Sequence, residues 1–87
     1  MSYSERIKAK LSEAFDPVHL EVIDESEQHR GHGGYREGGE THFKVVMTSA
    51  AMNGLNRVAR QRAVYAVLKE ELDERVHALA LKIDGTA

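Results

Sequence analysis

The feature that most constrains this chain is the way its hydrophobic period changes along the sequence. From about Ser4 to Phe15 the apolar residues Ile7, Leu11, Ala14 and Phe15 recur at helical spacing. Ser2 and Glu5 fit a capping box at the start, and Asp16-Pro17 predicts the stop, because proline disfavours helical geometry in the residue before it. From His19 to Asp24 the period drops to two, with Leu20 and Val22 alternating against His19 and Glu21. The alternation breaks from Glu25 to Glu40, a stretch with five glycines and one aromatic, Tyr35, which predicts a long loop over 25–40. It resumes from Thr41, with Phe43, Val45 and Met47 on one face and His42, Lys44, Val46 and Thr48 on the other.

After a turn over Ser49–Asn56 that contains Gly54, helical spacing returns from Leu55 to Leu72, with Val58, Tyr65, Leu68 and Leu72 as the expected buried stripe. The stripe thins where Arg60-Gln61-Arg62 run together, which predicts a bend or break near Ala59–Ala63. Val76 to Ile83 alternates again, and residues 84–87 read as a frayed tail. The order is therefore α-β-β-α(α)-β. The first two strands are expected to pair antiparallel, and the last crossover is expected to make the second and third parallel. The expected architecture is one α+β domain over 1–87, a two-layer sandwich with a three-stranded mixed sheet and helices on one face.

Eighty-seven residues can bury only a small core, and no cysteine is present to staple it or to build a Cys-type zinc site. Net charge is −2 with histidines neutral, a poor footprint for tight nucleic-acid binding. No apolar run approaches a membrane span and no hydrophobic signal region opens the chain, so the expected location is the cytoplasm. No nucleophile motif or phosphate-binding glycine pattern is present, so an enzyme is not expected.

The residues with most chemical potential are the five histidines. His29 in the glycine-rich stretch and His77 at the head of the last alternating segment are candidates to meet in space and bind a soft metal centre, with a partner bringing any sulfur. His32, at metal-like spacing from His29, and His42 are spare candidates. The bland alternative for His77 is a histidine hydrogen-bonded inside the fold, and for His29 a solvated loop side chain. His42 is expected to face solvent or pair across strands. Arg57, Arg60, Arg62 and Lys69 are candidates for a basic helical face able to meet nucleic acid. The bland reading is a solvated or partner-facing helix surface.

An ordered set of segments resembles the BolA family: Phe15-Asp16-Pro17, Leu20 with Val22, Glu25-Ser26-x-x-His29, Gly39 to Val45, Arg60-x-Arg62, Val64-Tyr65, Leu68-x-Glu70-Glu71-Leu72 and Val76 to Ala80. The resemblance runs from about Ile7 to Leu81. It implies a fold like the class II KH domain and a non-enzymatic role as partner of a monothiol glutaredoxin with its glutathione. It also implies a shared [2Fe-2S] cluster, in iron sensing or cluster delivery, with His29 and His77 at the ligand positions. A second role attributed to the family is DNA-binding transcriptional regulation, here through the central helices. The chain departs from the family pattern at Gln61, where histidine is common, and in a longer first loop carrying His32. No Gly-x-x-Gly loop is present, which weighs against a KH-type grip on single strands.

Overall fold

The computed structural model describes residues 2–25 and 42–87. Helix α1 spans Tyr3–Phe15 and begins at the expected capping box, where Ser2 and Glu5 satisfy each other's backbone N–H groups. It ends at Asp16, whose φ of 44° turns the chain out of the helix ahead of Pro17. Strands β1 (His19–Asp24) and β2 (His42–Thr48) pair antiparallel, with Leu20 opposite Met47 and Val22 opposite Val45. A 3-10 turn over Ala50–Met52 leads to α2 (Arg57–Val67) and α3 (Lys69–Glu74), and β3 (Ala78–Asp84) then pairs parallel with β2. The sheet order is β1-β2-β3, so β2 is central. This is the expected α+β two-layer sandwich with the α-β-β-α-α-β order of a class II KH-like domain.

The core lies between the helices and one face of the sheet. Ile7 and Leu11 of α1, Phe43, Val45 and Met47 of β2, Met52, Val64, Leu68 and Val76 are buried together. Leu20 and Val22 from β1 and Leu79, Leu81 and Ile83 from β3 pack around them. Ser49 is buried at the end of β2; its hydroxyl donates to Phe15 O and accepts from Ala51 N–H, tying sheet, turn and first helix together.

Three expectations are corrected. Ala14 is exposed, and so are Val58 and Tyr65, at 54% and 39%. The face that packs is centred on Val64 and Leu68, with Ala63, Val67 and Leu72 beside them. Val58 and Tyr65 lie about a third of a turn round from Val64. The helix does not break at Ala59–Ala63, since arginine and glutamine are good helix formers; the break falls at buried Leu68. The expected frayed tail is tied down: Asp84 belongs to β3, its carbonyl accepts from Ser49 N–H, and Asn53 Oδ1 accepts from Thr86 and Ala87 N–H.

A polar clamp joins α1 to α3. Glu71 is fully buried and takes Arg6 at 2.8 Å and Lys10 at 2.7 Å, while Arg6 also reaches Glu70 and Glu74. Tyr3 donates its hydroxyl to Glu74, and the Arg6 guanidinium lies over the Tyr3 ring. Arg6 holds the Glu74 carboxyl below the ordinary glutamate range, with the Tyr3 hydrogen bond adding to the effect. The same hydrogen bond, seen from the phenol, pushes Tyr3 up.

Candidate functional site

The site is built at the end of the sheet where β1 stops and β2 and β3 both start. Parallel pairing sets His42, the first residue of β2, opposite Ala78, the first residue of β3, and His77 immediately precedes it. His77 is exposed, but its neighbours are not free: Val76 is 2% exposed on one side and the β3 ladder begins on the other. The Val76 N–H donates to Glu71 O, so the buried end of α3 helps fix the backbone that carries the imidazole.

His42 contradicts half of its expectation. It does not face solvent; it is 7% exposed. Its ring stands beside that of His77, with centroids 6.4 Å apart and planes tilted by 34°. The reason is the position of β2 in the sheet: a central strand has a neighbour on each side, so its first residue sits between the end of β1 and the head of β3. On the β1 side, Glu25 N–H donates to His42 O at 2.7 Å.

His29 and His32 lie outside the described residues. Glu25 and His42, the described residues on either side of that segment, lie at the end of the sheet where His77 stands. Among the described residues, no group of three or more His, Asp or Glu side chains is arranged to hold a metal ion. What this end of the sheet offers among the described residues is a pair of imidazoles, one exposed and one buried.

The four cations proposed as a basic face do not share one. Arg60 is engaged by the fold, its guanidinium donating to Met52 O at 3.3 Å and Ile83 O at 3.4 Å. Arg57 and Arg62 are exposed but about 140° apart around the helix. Lys69 sits on the next helix and pairs with Asp73 at 2.7 Å. The junction between α2 and α3 is Leu68, flanked by Val67 and Lys69, with no glycine to let a nucleic-acid backbone approach.

Sequence reasoning passed over Glu71. It had a signal: Glu71 falls on the stripe of Val64 and Leu68 at spacings of seven and three, a carboxylate among core positions. Its partners, Arg6 and Lys10, are more than sixty residues away and become visible only on folding.

Fold and site together define a small KH-like α+β domain with a histidine pair at one end of its sheet. The profile of the BolA-like proteins matches residues 11–87. Escherichia coli DNA-binding transcriptional regulator BolA is 48% identical over 81 residues, covering 93% of this chain and 73% of that protein. A Sinorhizobium protein described as uncharacterized, in the cobS 5'region, is 52% identical over 83 residues, covering 94% and 89%. The BolA domain of SufE1 from Arabidopsis thaliana superposes with a TM-score of 0.89 at 41% identity, covering 99% of this chain and 94% of that one. The chain belongs to the BolA family. Of these relatives the Escherichia coli protein is described as a regulator and the Arabidopsis one by its domain, and no helix among the described residues is long and apolar enough to cross a membrane.

Proposed function

We propose that this chain is a non-enzymatic adaptor that shares a [2Fe-2S] cluster with a monothiol glutaredoxin, in iron sensing or cluster delivery. The observation that carries the reading is His77: an exposed imidazole held by a buried valine and a strand ladder, beside a second imidazole and at the end of the sheet that leads to His29. His29 follows Glu25 by four residues in the sequence. The donor chemistry fits half a cluster. Imidazole pairs ligate one iron in Rieske-type centres, whereas the remaining positions call for thiolates. With no cysteine, this chain leaves those positions to the partner and its glutathione. His77 and His29 would hold the iron on this side. A preorganised ligand loses little conformational freedom when the partner arrives, which is what the anchoring by Val76 provides. The bound cluster would supply a transferable iron-sulfur unit whose potential is raised by imidazole ligation.

The test is to mix the chain with cluster-loaded monothiol glutaredoxin and follow the visible circular dichroism and the stoichiometry of the complex. A one-to-one complex with a spectrum changed from that of glutaredoxin alone is expected. An unchanged spectrum and no complex would remove the reading.

A second reading, DNA-binding regulation in the cytoplasm, has one specific support: the name carried by the Escherichia coli relative at 48% identity. The dispersal of Arg57, Arg62 and Lys69 and the engagement of Arg60 weigh against a duplex-binding helix face.

A further inference from the structure

Strand β3 is an edge strand, and its outer side is only partly closed. Asp84 O accepts from Ser49 N–H, so its backbone groups face the β2 side. By strand alternation those of Ala78, Ala80 and Lys82 do the same, and those of Leu79, Leu81 and Ile83 face outward. Two side chains from α2 confirm this direction: Tyr65 donates to Leu79 O and Arg60 to Ile83 O, each at a long 3.4 Å. Between these contacts lie the N–H and C=O of Leu81.

Alongside runs a groove of about 290 Å³, lined by Arg57, Arg60 and Gln61 of α2 and by Leu81 to Asp84. It gathers three cations against one carboxylate on a chain whose net charge is −2. Its volume, at the foot of the range for ligand sites, is enough for one or two side chains. The strand has no proline, and its seven residues are enough for an added strand. Edge strands with free backbone groups pair with other chains unless they are blocked.

We propose that the outer edge of β3 is a docking strand for an extended acidic peptide segment of a partner protein. The segment would hydrogen-bond to the Leu81 backbone, displace the long Tyr65 and Arg60 contacts, and place an acidic side chain of its helix-facing side against Arg57 and Arg60. This is main-chain recognition by strand addition, with a charged groove giving selectivity. An acidic peptide fits better than nucleic acid. A phosphate backbone has no N–H to offer the outward Leu81 carbonyl, and no aromatic residue lines the groove for base stacking.

The test is an NMR titration of the whole isotopically labelled chain. The probes are an acetylated seven-residue peptide alternating glutamate and valine, its backbone N-methylated twin, its lysine-for-glutamate twin, and a decathymidylate. The glutamate peptide is expected to shift the amides of Leu79, Leu81 and Ile83. N-methylation should weaken it by about tenfold or more, the loss that follows from removing a pair of net-favourable hydrogen bonds. Arg57→Glu, at an exposed position, should weaken it while leaving the spectrum of the free chain folded. Equal binding of the N-methylated peptide, equal or tighter binding of the decathymidylate, shifts confined to another surface, or no shift at millimolar peptide would each overturn the proposal.

Discussion

At the scale of single residues, two side chains carry opposite kinds of importance. His77 is exposed at the head of β3, and replacing it removes no core contact. His77→Ala is expected to keep the far-ultraviolet spectrum and the unfolding midpoint, yet to lose most cluster from the mixed complex with glutaredoxin. His29→Ala should give a milder loss with an altered visible dichroism, since the glycines beyond it raise the conformational freedom that ligation must remove. A wild-type spectrum and cluster retention in His77→Ala would show the ligand assignment to be wrong. Glu71 is the converse case, buried and structural. Glu71→Ala leaves Arg6 and Lys10 facing an apolar gap, but both keep contact with water. The expected destabilisation is about 2 kcal/mol, below the range for a fully buried pair. Urea denaturation measures it, and a change within experimental scatter would mean the clamp adds nothing.

At the scale of elements, the clamp has a pH dependence whose sign follows from Glu74. Its carboxyl titrates below the ordinary value of 4.5 in the folded state because Arg6 and Tyr3 donate to it. The stability it contributes is therefore complete above the unfolded value and lost as pH falls through the folded one. Wild-type stability should decline more steeply below about pH 4.5 than that of Glu74→Gln. Parallel acid-denaturation curves would deny Glu74 any part in holding α1 to α3. The turn before α2 offers a second test. A methyl group at Gly85 would run into Asn53 Oδ1, the acceptor for Thr86 and Ala87 N–H. Gly85→Ala should raise hydrogen exchange at residues 86 and 87 while β2 and β3 stay protected.

For the molecule as a whole, the distribution of chemistry matters more than any one group. One end of the sheet presents imidazoles, the outer edge of β3 presents cations and outward backbone, and Arg57, Arg60, Arg62 and Lys69 form no continuous stripe. The isolated chain should therefore stay colourless after anaerobic iron-sulfur reconstitution and desalting, because it lacks the thiolates that such clusters need. A stable brown monomer would contradict this. Duplex DNA should bind weakly, with affinity falling steeply as salt is added, since few phosphates can be neutralised. Arg57→Ala with Arg62→Ala should remove what binding there is without unfolding the chain, whereas Arg60→Ala should lower stability by breaking its links to Met52 and Ile83. Tight sequence-specific binding at physiological salt would favour the regulatory reading instead.

The element order, the strands over His19–Asp24 and from His42, the capping box at Ser2 and the core face of β2 were all legible in the sequence. They depend on period, capping and turn chemistry, which act over a few residues. His77 was placed at the head of the alternating segment Val76–Ile83, and it stood out through the resemblance to the BolA family; the strand itself starts at Ala78. Three things were decided only by the tertiary structure. Which arc of α2 packs depended on where the sheet lies, so Val58 and Tyr65 came out exposed and Val64 buried. The place of His42 depended on β2 being central, which brings it beside His77 from 35 residues away in the chain. The burial of Glu71 required cations from α1 to arrive over it. Each is a contact between distant segments, and local periodicity carries no information about which segments meet.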